Sequence, residues 1–352
     1  MANFGPKEIK KLREMSGAGM MDCKKALAAA EGDMDKAIEW LRDQGIGAAA
    51  KKASKTAAEG AIGIKVDGHK AVIVEINSQT DFVAKNDKFK ELMNAVVEHA
   101  YAQELADADA INASTIDGQP FSEFLALQIA TIGENLVVRR SGLLIGDANA
   151  ALAGYVHSNA QNGVIIKAEC DDAQTAEKMA PVLREIAMHA AAMAPRVLSY
   201  NDLDPEYVAA ETHGRIEAIK KENEELERLG KPLKNVPQYV SRAQLTDEVI
   251  AAAKAEIEAE LKAEGKPEKI WDRIVPGKLE RFISDNTTLD QEQCLLDQKF
   301  VMDDSKTVGE YFAEKSNGQA KITAFVRLEV GEGIEVEEED FAAEVAKQMG
   351  GA

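Results

Sequence analysis

The chain has 352 residues, 45% of them hydrophobic, with 42 Lys and Arg against 61 Asp and Glu for a net charge of −19. That length suits two or three domains at ~100–200 residues each and is enough to bury a core. The acidic balance argues against a generic grip on DNA, RNA or an anionic membrane and leaves a protein or a small molecule as the expected partner.

The opening segment, MANFGPKEIKK, has no apolar signal core, and no apolar run approaches the ~20 residues that span a bilayer, so a cytoplasmic location is expected. Cys23, Cys170 and Cys294 are odd in number and far apart, and they read as reduced thiols. Charge is unevenly spread: residues 1–55 hold 11 basic against 8 acidic residues, whereas 329–352 hold 8 acidic residues against Lys347. Ends of opposite sign can meet different surfaces, or can simply be solvated faces.

Residues 6–44 read as three short helices. Pro6 suits a first turn, Gly17 and Gly19 in SGAG let the chain reverse, and Gly32-Asp33 stops and restarts it. Met20, Lys24, Leu27 and Ala28 repeat at helical spacing, as do Ala37, Ile38 and Leu41. The Ala- and Lys-rich stretch from Gly45 to Gly60 reads as a linker. From Ala61 the period becomes strand-like: GIKVDGHKAVIVEIN sets Asp67-Gly68 between two β-branched runs, a hairpin signal. Phe89, Leu92, Met93, Val96 and Val97 then mark a helix, and Asn135–Leu144 a strand.

The order recurs. Leu152–Cys170 reads as strand, turn at Asn162-Gly163, strand; Thr175–Met193 is a helix, and Lys321–Gly331 is a late closing strand. Either a hairpin-helix-strand unit is duplicated with an insertion in the second copy, or such units recur by chance. The interruption, residues 205–270, has 25 charged residues and only Tyr207 and Tyr239 as aromatics. Pro205–Leu229 reads as one helix; Leu245, Val249, Ala253, Ile257 and Leu261 give a second helix one apolar stripe. An antiparallel arm and a helical subdomain packed on the core both fit. The fold class is α+β, divided as 1–55, 56–148, 149–200 with 291–335, the insertion 201–290, and 336–352.

No phosphate-binding glycine loop, dinucleotide fingerprint or paired-histidine zinc motif is present, and the five histidines, His69, His99, His157, His189 and His213, lack metal-ligand spacing. Neither a catalytic site nor a cofactor or metal site is expected. The segment SQTDFVAKND after the strand AVIVEIN stands out. Ser78, Thr80 and Asp81 are able to cap a helix start, but capping does not explain Phe82 in a polar turn. A hydrophobic staple into the core is one account of it.

LREMSGAGMMDCKKALAAAEGDMDKAIEWLR, INSQTDFVAKND, IGENLVVRR, KFVMDDSKTVGE and FVRLEVGEGIE, in this order, resemble the bacterial elongation factor Ts family over most of the chain. The resemblance implies a non-enzymatic guanine nucleotide exchange factor for elongation factor Tu, in its GDP-bound and nucleotide-free states, without direct contact with nucleic acid or membrane. It implies a ubiquitin-associated-like module at 1–55, a two-subdomain core, an inserted coiled-coil arm and a C-terminal module. Thr80, Asp81, Phe82 and Val83 would enter the GTPase, with Phe82 displacing the elements that hold magnesium. Lys24, His157, Val301 and Met302 match further partner contacts, although the residues after His157 depart from the family's Gly-rich form. The arm is about twice the length usual for members with a short hairpin. A scaffold or chaperone using the module and arm, and an enzyme using Asp81 or His157, are the rival readings.

Overall fold

A computed structural model describes residues 4–16 and 18–335. Gly17 of the first reversal and the C-terminal module expected at 336–352 lie outside the described residues. The described residues form two compact units, one from those up to Lys167 together with 325–335, the other from Ala168 to Ala324.

The first unit begins with helices α1 (Pro6–Ser16), α2 (Met20–Ala29) and α3 (Met34–Lys52). They close around Leu12, Cys23, Ala26, Leu27, Ala37 and Leu41. Asp33 caps α3 by accepting the Lys36 N–H at 3.1 Å, after a reversal through Glu31 and Gly32, both at positive φ. The stripe on α2 differs from the one expected. Cys23, Ala26 and Leu27 face inward, and Met20, Met21 and Lys24 face solvent. The linker expectation is also corrected, because α3 runs on without interruption to Lys52. Its glycines weaken an isolated helix, but Gly45 lets a later helix approach closely, and packing outweighs propensity.

Strands β1 (Glu59–Asp67) and β2 (Lys70–Ser78) pair antiparallel, with Asp67 opposite Lys70 and Gly68 at φ +57° in the turn. A one-turn helix, α4 (Asp81–Ala84), leads to α5 (Asp87–Gln103), which buries all five residues its spacing marked. Then come α6 (Ala108–Asn112), the short pair β3 (Thr115–Ile116) and β4 (Gln119–Pro120), α7 (Phe121–Ile132) and β5 (Val137–Ile145). The sheet order is β1-β2-β5. β2 is central and covered on both faces: Val72, Val74 and Ile76 pack with α5, whereas Ala71 and Ile73 join a second cluster with Leu152 and Ile165. That is why Ala71, Val72, Ile73 and Val74 run on without a polar residue.

α7 lies along α3, where a Cβ at Gly45 would sit 3.0 Å from Leu127 Cδ2, and Arg42 pairs with Glu123 at 3.1 Å. A bulge in β5 skips Arg139, so that Glu75 and Ile76 oppose Arg140 and Val138. Two consecutive arginines therefore reach one fully buried carboxylate: Glu75 accepts from Arg139 Nη1 at 3.3 Å and Arg140 Nε at 2.5 Å, and from the Gly331 N–H at 2.9 Å.

Strands β6 (Ala150–Val156) and β7 (Asn162–Cys170) follow. The turn is not at Asn162-Gly163 but before it, with Ala160 at φ +58°. Gly163 lies in β7, and the position takes a glycine because a Cβ there would come within 2.5 Å of Ile62 Cγ2.

The second unit contains α8 (Ala173–Met193), α9 (Pro205–Arg228), α10 (Asp247–Ala263), α11 (Trp271–Asp285), α12 (Thr288–Gln293), the hairpin β8 (Lys299–Phe300) and β9 (Asp303–Thr307), and α13 (Val308–Ser316). The last strand, β10 (Ala320–Glu329), gives a sheet in the order β6-β7-β10, the same order as β1-β2-β5. α9 is capped by Asp204 and stops at Arg228, just before Gly230 at φ +65°, within one residue of the Pro205–Leu229 expected. The insertion holds one long helix more than expected. α10 turns back at Gly265 and packs on α11, with Ile257 and Leu261 against Trp271, Ile274, Val275 and Leu279 and a Lys278–Glu260 ion pair at 3.0 Å. The antiparallel pair is thus α10 with α11 rather than α9 with α10.

Candidate functional site

The turn between β2 and α5 is built from a buried stem upward. Asn77 and Ser78 are fully buried; Asn77 Nδ2 donates to Glu59 O at 3.1 Å and Ser78 Oγ to Thr80 O at 2.9 Å. Thr80 sits at the N-cap of α4 but makes no capping bond with its side chain, so the capping expectation is corrected for it. Its Oγ1 donates instead to Glu134 Oε1 at 2.7 Å, while the Gln79 and Thr80 N–H groups donate to Glu134 Oε2 at 3.1 and 3.0 Å. Asp81 pairs with Lys85 one turn on at 2.6 Å, and that bond holds its carboxyl below the usual range. Val83 and Ala84 rest against the core around Phe89.

Phe82 is 80% exposed, so it is not a staple. A phenyl ring held in water on a fixed turn is an unsatisfied apolar group, and burying it fully is worth about 1.5–3 kcal/mol. Thr80, Asp81, Phe82 and Val83 therefore divide their roles: Thr80 and Val83 anchor, Asp81 pairs locally, and Phe82 projects.

The other sequence-predicted contacts lie on separate elements. Lys24 is exposed on α2, whose Met20 and Met21 are 57% and 62% exposed. His157 follows β6 and is exposed; its Nδ1 is 3.0 Å from Tyr155 OH, which fixes the ring. In the second unit Val301 and Met302 form the two-residue tip of the β8–β9 hairpin, both exposed. Beneath them Phe300 is buried, stacked on Tyr311 with centroids 4.2 Å apart, and His189 Nδ1 accepts the Val301 N–H. The His189 ring is itself fully buried.

Glu134 was not singled out as a site residue, although it stands inside the IGENLVVRR motif. An acid 54 residues from Thr80 gives no local signal of their contact. Nor was the pair Met20 and Met21 read as exposed, since two methionines on a short helix usually belong to its core. Among the described residues no group of His, Cys, Asp or Glu has a metal-binding arrangement, and no helix is long and apolar enough to cross a membrane.

The family model described as Elongation factor TS matches residues 79–236 and 233–332. The chain is 75% identical over 352 residues to Elongation factor Ts of Sulfurovum sp. (strain NBC37-1), spanning 99% of this chain and all of that protein. It is 54% identical over 352 residues to Elongation factor Ts of Aliarcobacter butzleri (strain RM4018), with the same shares covered. To Elongation factor Ts of Helicobacter pylori (strain ATCC 700392 / 26695) it is 51% identical over 354 residues, again 99% of this chain and all of the relative. The three relatives align over nearly the whole chain.

Proposed function

Since the chain belongs to the elongation factor Ts family, a family of translation elongation factors, we propose that it is the guanine nucleotide exchange factor for elongation factor Tu. It binds the GDP form, promotes release of GDP and leaves when GTP enters. The reading is of a protein that acts by binding and makes or breaks no covalent bond.

The observation that carries it is Phe82, held in solvent on a turn whose stem is buried. Inserted between elements of the GTPase, the ring gains its burial energy only if those elements part. Magnesium bridges nucleotide phosphates and protein oxygens, so a shift of its ligands weakens GDP binding. Linkage makes the effect reciprocal: a factor that binds the nucleotide-free state more tightly lowers nucleotide affinity by the same ratio. Lys24 beside the exposed methionines, His157, and the Val301–Met302 tip supply further contact area. The net charge of −19 speaks for a protein target without direct nucleic-acid contact, and the site of action is the cytoplasm.

Release of a fluorescent GDP analogue from purified elongation factor Tu, with and without this protein, is the test. Acceleration that saturates with factor concentration is expected; no acceleration rejects the reading.

A further inference from the structure

Phe82, 80% exposed on a helix of four residues, has little packing of its own to fix its direction. Its orientation must come from the backbone on either side. On the C-terminal side Val83 and Ala84 rest on the core. On the N-terminal side three donors converge on one carboxylate: the Gln79 N–H, the Thr80 N–H and Thr80 Oγ1, all on Glu134 at 2.7–3.1 Å.

Glu134 is itself set on a fixed base. Gly133, at φ +95°, ends α7 and accepts a bond from Lys52 Nζ at the end of α3; Asn135 Nδ2 donates to Lys55 O at 2.8 Å. Three successive residues thus bind the N-terminal module, the Phe82 turn, and the module's exit segment. Two part-buried amides and a hydroxyl on a single acceptor give a stronger and more directional hold than one neutral bond, since the acceptor is charged. Holding a binding group in its bound pose lowers the ordering cost of association, and here that benefit falls on the insertion step.

We propose that Glu134 is a positioning residue for nucleotide exchange: it locks the Gln79–Thr80 turn in the pose from which Phe82 enters the partner. The proposal rests on the reading of Phe82 given above. Glu134 touches no nucleotide and acts only through the turn.

The test compares wild type, Glu134→Ala, Glu134→Gln, Phe82→Ala and the double variant Glu134→Ala/Phe82→Ala as full-length chains. For Glu134→Ala the maximal rate of GDP release is expected to fall about tenfold with the half-saturating concentration changed less than about twofold, as for a lost positioning group. Glu134→Gln keeps an acceptor for the two amides and is expected to recover part of the rate. The double variant is expected to be no slower than Phe82→Ala alone, because the two residues act through one element. Hydrogen exchange of the free protein gives an independent readout: protection of the Gln79 and Thr80 amides is expected to drop in Glu134→Ala, with cooperative thermal unfolding retained.

A Glu134→Ala protein that reaches the wild-type maximal rate overturns the proposal. So does additivity in the double variant, which would mean that Glu134 acts elsewhere. Unchanged amide protection overturns it whatever the exchange assay gives. Failure of the wild type to accelerate release rejects the exchange reading instead, and is recognised by being common to all five proteins.

Discussion

Val301 donates its backbone N–H to Nδ1 of the buried His189 ring at 3.2 Å, so an exposed apolar tip hangs on a neutral histidine. The other ring nitrogen lies 3.0 Å from Gln298 Oε1 and must carry the proton, because Gln298 Nε2 is already donating to the Met193 and Glu292 carbonyls. Burial holds the pKa of His189 below its ordinary value of 6.5, with the Gln298 bond opposing. In the window below 6.5 the unfolded chain takes up the proton first, so this contribution to stability is complete above 6.5 and is lost as pH falls through the folded pKa. Protonation at Nδ1 also removes the acceptor of the Val301 bond. Thermal midpoints measured from pH 7.5 to 5 should decline less steeply in His189→Gln than in the wild type; equal slopes would show that the ring does not titrate in this range.

Phe82→Ala should lower the maximal rate of GDP release by about an order of magnitude or more, while affinity for elongation factor Tu weakens less. The ring makes little contact within the free protein, so its unfolding midpoint should not move. An equal loss in rate and affinity would assign Phe82 to general binding.

Lys24→Ala is expected to raise the half-saturating concentration by about two- to fivefold at low salt, with the difference disappearing as salt is added, as for an exposed charge at an interface rim. Titrating salt against both proteins checks this. A salt-independent loss would point instead to the packing of the lysine stem beside Met20 and Met21.

Asp290 and Asp297 behave in the opposite sense to His189. Burial raises both carboxyls, and for Asp297 the added repulsion of Asp290 brings the pKa to about 6. Asp290 Oδ1 and Asp297 Oδ2 have no hydrogen-bond partner among the described residues. The folded state therefore keeps a proton that the unfolded chain releases between about pH 4 and 6, and Asp297 favours folding increasingly as pH falls through 6. Above pH 6 its charge is a burden. Asp297→Asn should raise stability at pH 7.5 by on the order of 1 kcal/mol and bring no gain at pH 4.5. Urea unfolding at the two pH values decides it; equal gains at both would mean that the effect is packing.

Legibility followed the range of the interactions. The hairpin at Gly68, the buried face of α5 and the stop at Gly230 rest on neighbours a few residues apart, and periodicity and turn chemistry show them. What escaped depends on distant partners. Gly45 reads as flexible until Leu127 lies against it; Asn162-Gly163 reads as a turn until Ile62 explains the glycine. α11 escaped because its stripe has meaning only opposite Ile257 and Leu261. At the site, Phe82 stood out because it contradicted its polar surroundings. Glu134 did not, since a glutamate in a loop contradicts nothing.

The unbroken α3, seated on α7 through Gly45, bears on how the gene can be cut. A recombinant product beginning near residue 56 would retain β1, β2 and the Phe82 turn, yet it would strip the Leu127 face of α7 of its cover and remove Lys52 from the Gly133 carbonyl. Such a core would be purified with an adhesive flank and a loosened turn. A poor yield or a slow exchanger from that design would report the damage at the cut, not the worth of the missing residues.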